Sequence, residues 1–151
     1  MLRDDRQIAF SETLVLCEDS AEHYRAAAEA VDDTTLAELF RALAAERDRL
    51  AEQLTEQVRL LGDLPRLPDP DRESLDDLIT RLKSLFVADH RQVIIDERDA
   101  LERQLADQLA EARALALDDS QRAVLSAIDC SVRQAHTRLA EARAQLAADQ
   151  G

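Results

Sequence analysis

Apolar residues recur along the chain in alternating steps of four and three, the period of a helix that buries one stripe. From about residue 4 to 31 the stripe runs through Phe10, Leu14, Cys17, Ala21, Tyr24, Ala28 and Val31. Asp32-Asp33-Thr34-Thr35 then interrupts it, and Thr35-Leu-Ala-Glu38 has capping-box spacing for a second helix over about 34–61. That helix carries Leu36, Leu39, Phe40, Leu43, Leu50, Leu54, Val58 and Leu61 on one face, with Gly62 placed to end it. Two long helices separated by so short a break predict an antiparallel hairpin.

Pro65, Pro68 and Pro70 exclude helix from about 63 to 71, and Ser74-Leu-Asp-Asp77 can start a short helix over about 73–87. A long helix over about 89–117 turns Ile94, Leu101, Leu105, Ala112 and Leu115 inward. After the break at Asp118-Asp119-Ser120-Gln121, the last helix, about 119–149, presents Leu125, Ile128, Val132, Leu139, Ala142 and Leu146. A connector of about 26 residues between the hairpins can run the length of helices that each measure roughly 40 Å. It therefore predicts that the second and third long helices are parallel. The expected fold is all-α: one domain over residues 1–151, a ferritin-like four-helix bundle of two antiparallel hairpins joined by a long crossover with a short helix.

Charged residues break the apolar stripe at three places. Glu46-Arg47 lies between Leu43 and Leu50, Glu97-Arg98 between Ile94 and Leu101, and His136 between Val132 and Leu139. A buried charge without a partner costs several kcal/mol, so these interruptions are expected to meet in one polar layer. Glu22, or alternatively Glu18, lies at a similar depth in the first helix, and Tyr24 points inward nearby. Carboxylates and an imidazole on facing helices can hold iron or manganese. The complete di-metal pattern needs Glu-x-x-His on two helices, whereas Glu46-Arg-Asp-Arg49 ends in Arg and Arg133-Gln-Ala-His136 begins with it. The leading expectation is thus a metal-free ion-pair layer that includes Arg47, Arg49, Arg98 and Arg133, with no cofactor. The alternative is an iron or manganese site on Glu18 or Glu22, Glu46, Glu97 and His136. Glu46-Arg-Asp-Arg-Leu-Ala-Glu-Gln-Leu54 also resembles Glu97-Arg-Asp-Ala-Leu-Glu-Arg-Gln-Leu105.

Charge narrows the partners. A formal charge of −13 disfavours nucleic acid and anionic membrane surfaces, and no apolar run approaches the roughly 20 residues that span a bilayer. The start, Met1-Leu-Arg-Asp-Asp-Arg-Gln7, lacks the pattern of a secretory leader, which points to the cytoplasm and to reduced cysteines. Cys17 falls on the core stripe and Cys130 on an outer face. His23 is expected on the outer face of its helix, and His90 at the start of the third long helix as a cap or interaction residue. With two glycines and no Ser-His-Asp or Cys-His spacing, a phosphate loop and a nucleophilic triad are both unsupported, and no catalytic residue is assigned. Val15, Leu16 and Ile95, extended by Ile8, suit a second apolar surface for a homo-oligomer or protein partner, unless Leu78, Leu82 and Phe86 of the short helix cover them.

The run Tyr24-Arg-Ala-Ala-Ala-Glu29-Ala-Val31-Asp-Asp33-Thr-Thr-Leu36-Ala-Glu-Leu39-Phe40, the Leu61-Gly62 before the proline loop, and Ala135-His136-Thr-Arg138-Leu139 resemble a bacterial ferritin-like group. It is called domain of unknown function 2383. The resemblance spans about Leu14 to Ala144 and implies a ferritin-like bundle with a link to metal or stress physiology. Asp96-Glu97-Arg98-Asp99 departs from it, since the group tends to carry a glycine beside its acidic residues here. The function expected is that of a non-enzymatic bacterial cytoplasmic interaction or stress-related protein, the alternative being an iron- or manganese-binding one.

Overall fold

A computed structural model describes residues 3–65, 72–87 and 91–150. Five helices follow in order: α1 (Asp5–Ala30), α2 (Thr34–Leu60), α3 (Leu75–Val87), α4 (Arg91–Arg113) and α5 (Asp119–Gln150). Local chemistry sets their ends. Asp4 and Gln7 form a capping box at the start of α1, each side chain bonded to the other's backbone N–H at 2.9 Å. Asp118 and Gln121 repeat that device before α5, at 2.7 and 3.0 Å. At α2 the cap is Asp33, whose carboxylate accepts from the Leu36 N–H at 3.0 Å. The Thr35–Glu38 box predicted from spacing is not the one used, because Asp33 already reaches the free amides of the first turn.

Gly62 ends α2 as predicted, with φ +79°, a conformation that disfavours residues with a Cβ. The Asp63 N–H then bonds back to the Val58 carbonyl at 3.1 Å, and the Gln7 amide donates to the Leu61 carbonyl at 2.8 Å. The chain end of α2 is thereby tied to the start of α1.

Polar links between helices give their directions. Gln7 meets Leu61 and Ser20 meets Arg47, so α1 and α2 are antiparallel. His23 meets Arg98 and Ala9 meets Gln108, so α1 and α4 are antiparallel as well. Consequently α2 and α4 run parallel, the order expected of two hairpins joined by a long crossover. Arg47 with Ser131 and Gln57 with Ser120 set α5 antiparallel to α2; Asp99 with His136 and Arg113 with Asp129 set it antiparallel to α4. Helix α3 packs on α1 and α4. Pro68, Pro70 and His90 lie outside the described residues.

The core divides into two apolar clusters. Phe10, Leu14, Cys17, Leu50, Leu54, Leu105, Leu109, Leu125 and Ile128 belong to one; Tyr24, Phe40, Leu43, Ile94, Ile95, Ala135 and Leu139 belong to the other. Leu78 and Leu82 of α3 join the second and share it with Ile95, so the short helix covers that residue. Val15 and Leu16 are half-buried, Ile8 is exposed, and the side chain of Phe86 lies outside the described set. One predicted core residue is corrected: Leu101 is 36% exposed, because the buried arc of α4 is centred on Arg98, Leu105 and Leu109 and leaves Leu101 at its edge. Among the described residues no helix is long and apolar enough to cross a membrane.

Candidate functional site

Between the two apolar clusters lies a layer of buried charge. Arg47 stands one turn from Leu43 and from Leu50 along α2, and its side chain is fully buried. Glu102, one turn from Leu105 on α4, is 3% exposed. The guanidinium and carboxylate meet in a fork, with Nη1 to Oε1 at 2.8 Å and Nη2 to Oε2 at 2.7 Å. Arg47 also donates from Nε to Ser131 Oγ of α5 at 3.2 Å and from Nη1 to Ser20 Oγ of α1 at 3.0 Å. Tyr24 of α1 donates its hydroxyl to Glu102 Oε1 at 2.7 Å. One ion pair thus ties all four long helices together at the same depth.

Electrostatics follow the burial. Burial opposes the Arg47 cation, but the Glu102 carboxylate outweighs it and holds the Arg47 pKa above its ordinary value. Burial, reinforced by Glu102, pushes the Tyr24 phenol above its ordinary range. The same cause raises the Cys17 thiol to about 12, so it stays protonated and is a poor nucleophile at neutral pH. Neither the Tyr24 phenol nor the Cys17 thiol is poised as a base.

A second arginine lies beside the first pair. Arg98 is buried, donates from Nη2 to Glu97 at 3.0 Å, and has Nη2 within 2.9 Å of His23 Nδ1. Its guanidinium carbon sits 5.7 Å from the centroid of the Tyr24 ring, a cation–π arrangement, while Nε and Nη1 have no hydrogen-bond partner among the described residues. Burial lowers the Arg98 pKa. His23, expected on the outer face, is instead half-buried, because Arg98 draws its ring against α4. Burial and the nearby Arg98 cation both lower its pKa, with Asp19 and Glu97 acting in the other direction.

A pH dependence follows. With the His23 pKa depressed in the folded state, the unfolded chain takes up this proton more readily below its ordinary value of about 6.5. The contribution of His23 to stability is therefore present above that pH and lost as the pH falls through the lower folded value. His23→Gln is expected to flatten the fall in urea midpoint between about pH 7 and pH 5. Asp19, whose pKa burial raises, shifts stability in the opposite direction at lower pH. Equal slopes for the two proteins over that window would contradict the assignment.

The residues predicted to hold a metal, Glu18 or Glu22, Glu46, Glu97 and His136, do not come together. Glu18 and Arg49 are exposed, and Glu46 is half-buried. Glu22 pairs with Arg72 of the connector at 2.7 Å, and Glu97 with Arg98 and, at 3.6 Å, with Arg81 of α3. His136 is exposed and holds Asp99 at 2.5 Å, while Arg133 pairs with Asp129 at the surface. Among the described residues no three His, Cys, Asp or Glu side chains are grouped to hold a metal ion. The donor set at the layer does not fit the di-metal pattern either. Both Glu102 oxygens are engaged, and the group opposite them is a cation.

Of the residues predicted for the layer, Arg47 and Arg98 are buried in it; Glu102, Ser20 and Ser131 were missed, as was Asp99, which lies outside the layer against His136 and Arg103. A signal for Glu102 was present. Steps of four and three from Ile94 pass through Arg98, Glu102, Leu105, Leu109 and Ala112, all of them buried.

Against known proteins, the family described as a domain of unknown function (DUF2383) matches residues 9–115. No curated protein and no solved structure matches the chain.

Proposed function

The chain belongs to the DUF2383 family, and from that premise we propose a non-enzymatic helical bundle that acts by binding through its surface, its helices held in register by an ion pair rather than a metal. The observation that carries this reading is the Arg47–Glu102 fork, which occupies the centre of the bundle and engages all four long helices. A guanidinium placed between helices satisfies a buried carboxylate and repels a divalent cation. A strongly acidic chain disfavours anionic polymers as partners, which supports a protein or small-molecule partner.

The experiment is metal content by mass spectrometry on protein produced with added iron and manganese, beside the Glu46→Ala/Glu97→Ala variant. The expected result is metal far below one ion per chain in both proteins, and a thermal midpoint that a chelator leaves unchanged. Near-stoichiometric iron or manganese in the wild type that disappears in the variant would replace this reading with a metalloprotein.

A further inference from the structure

The surface between α4 and α5 carries a groove of about 550 Å³ that the layer does not use. That volume falls in the range of small-molecule sites, roughly 300–1,000 Å³. Its floor is apolar: Val132 is buried, Ala106 is half-buried, and the methyl-bearing Thr137 completes it. Its rim carries Arg103 on α4 and Arg133 and His136 on α5.

Aspartates hold these three side chains. Asp99, 3% exposed, uses one oxygen for His136 Nδ1 at 2.5 Å and the other for Arg103 Nη2 at 3.1 Å. One buried carboxylate therefore holds both Arg103 and His136, which line the same groove. Asp129 anchors Arg133 and also takes Arg113 at 3.2 Å. Each anchor uses part of a guanidinium's five donors, and with Nδ1 on Asp99 the His136 ring has Nε2 left to meet a ligand.

Donor geometry points to the ligand class. Two arginines, Arg103 and Arg133, line the groove, each anchored to one aspartate and each keeping further N–H donors beside an apolar floor. Glu102 also lines the groove, but both its oxygens are turned to Arg47 and Tyr24, so its charge is already met from within the bundle. We propose that the α4–α5 groove binds a small amphiphilic anion, a single carboxylate or phosphate monoester on an apolar chain. The oxyanion bridges Arg103 and Arg133, and the apolar chain lies over Ala106 and Val132. The groove borders the layer at Glu102, but the side chains proposed to meet the ligand lie outside the layer, so the site does not depend on the layer's role.

The test titrates octanoate, octyl phosphate and octanol into the full chain, followed by calorimetry and by amide shifts over residues 103–106 and 132–137. The variant is Arg103→Gln/Arg133→Gln, both side chains being exposed and so removable without unfolding the bundle. Arg41→Gln/Arg59→Gln, exposed elsewhere, changes the net charge equally. At least one anion is expected to bind with a Kd below about 1 mM, at least roughly tenfold tighter than octanol. The groove variant is expected to weaken that binding by roughly tenfold or more, and the control variant to leave it unchanged. Comparison of octanoate with octyl phosphate identifies the headgroup. The proposal is overturned if neither anion binds in the millimolar range, if octanol binds as tightly, or if the two arginine variants behave alike.

Discussion

Arg47→Met is expected to destabilise the bundle by about 3–5 kcal/mol, because it leaves the Glu102 carboxylate buried without its counter-charge. Glu102→Leu is expected to cost a similar amount, with the arginine now the unpaired ion. The two losses should not add. With both ions gone, Arg47→Met/Glu102→Leu removes two desolvation penalties together and is expected to recover most of the single-variant loss. Tyr24, Ser20 and Ser131 then keep hydroxyls that have lost their ionic partner, and Tyr24→Phe added to the double variant should recover a further ~1 kcal/mol. Urea denaturation of the full cycle measures this, and additive single losses would show that the pair is not coupled. If recovery is complete, the value of the layer lies in register rather than stability.

Arg98 provides the contrast. It is as buried as Arg47, yet its carboxylate partner Glu97 is half-exposed and keeps Arg81 as a second neighbour. Removing Arg98 leaves its half-exposed partner Glu97 able to reach solvent, and it relieves two guanidinium nitrogens that have no partner among the described residues. Ion-pair counts would rank these two arginines equally; burial of the partner separates them.

The helices were legible because their signal is local. Steps of four and three in apolar residues, the Asp-rich breaks and Gly62 need no knowledge of neighbours, and among the described residues the helices fall where those signals place them, except that α4 ends at Arg113 rather than at the Asp118 break. Which charged residue of an interruption turns inward was not local. In Glu46-Arg47 and Glu97-Arg98, adjacent residues differ by only about 100° around the helix, so periodicity alone leaves two candidates. The arginine is buried in both segments, at matching positions of the two similar stretches, and the glutamate stays nearer the surface. A long arginine stem covers apolar surface on its way to a partner across the bundle, which a glutamate cannot match. That partner, Glu102, escaped notice because Leu101 beside it looked like the core residue. His136 was placed near the correct depth, but its acceptor, Asp99, comes from the adjacent helix, and pairing across helices is not written in either sequence alone.

The division of the core by this layer makes a second large effect predictable. Phe10 and Phe40 are fully buried in different apolar clusters, Phe40 with its ring 6.1 Å from that of Tyr24. Truncating either to Ala removes a large buried side chain and leaves a cavity in its own cluster, at an expected cost of about 3–5 kcal/mol. Together such losses would approach the whole stability of a domain this size, so coupling is better read from Phe10→Leu and Phe40→Leu. The two sites share no partner, and Arg47, Glu102 and Tyr24 lie between them. Their losses are expected to add to within about 0.5 kcal/mol in urea denaturation. Phe40→Leu should also couple to Tyr24→Phe through the ring contact, whereas Phe10→Leu should not. A coupling between Phe10 and Phe40 larger than that between Phe40 and Tyr24 would mean that the ion pair transmits packing changes across the bundle. The layer would then act as a coupler of the two clusters rather than a partition between them.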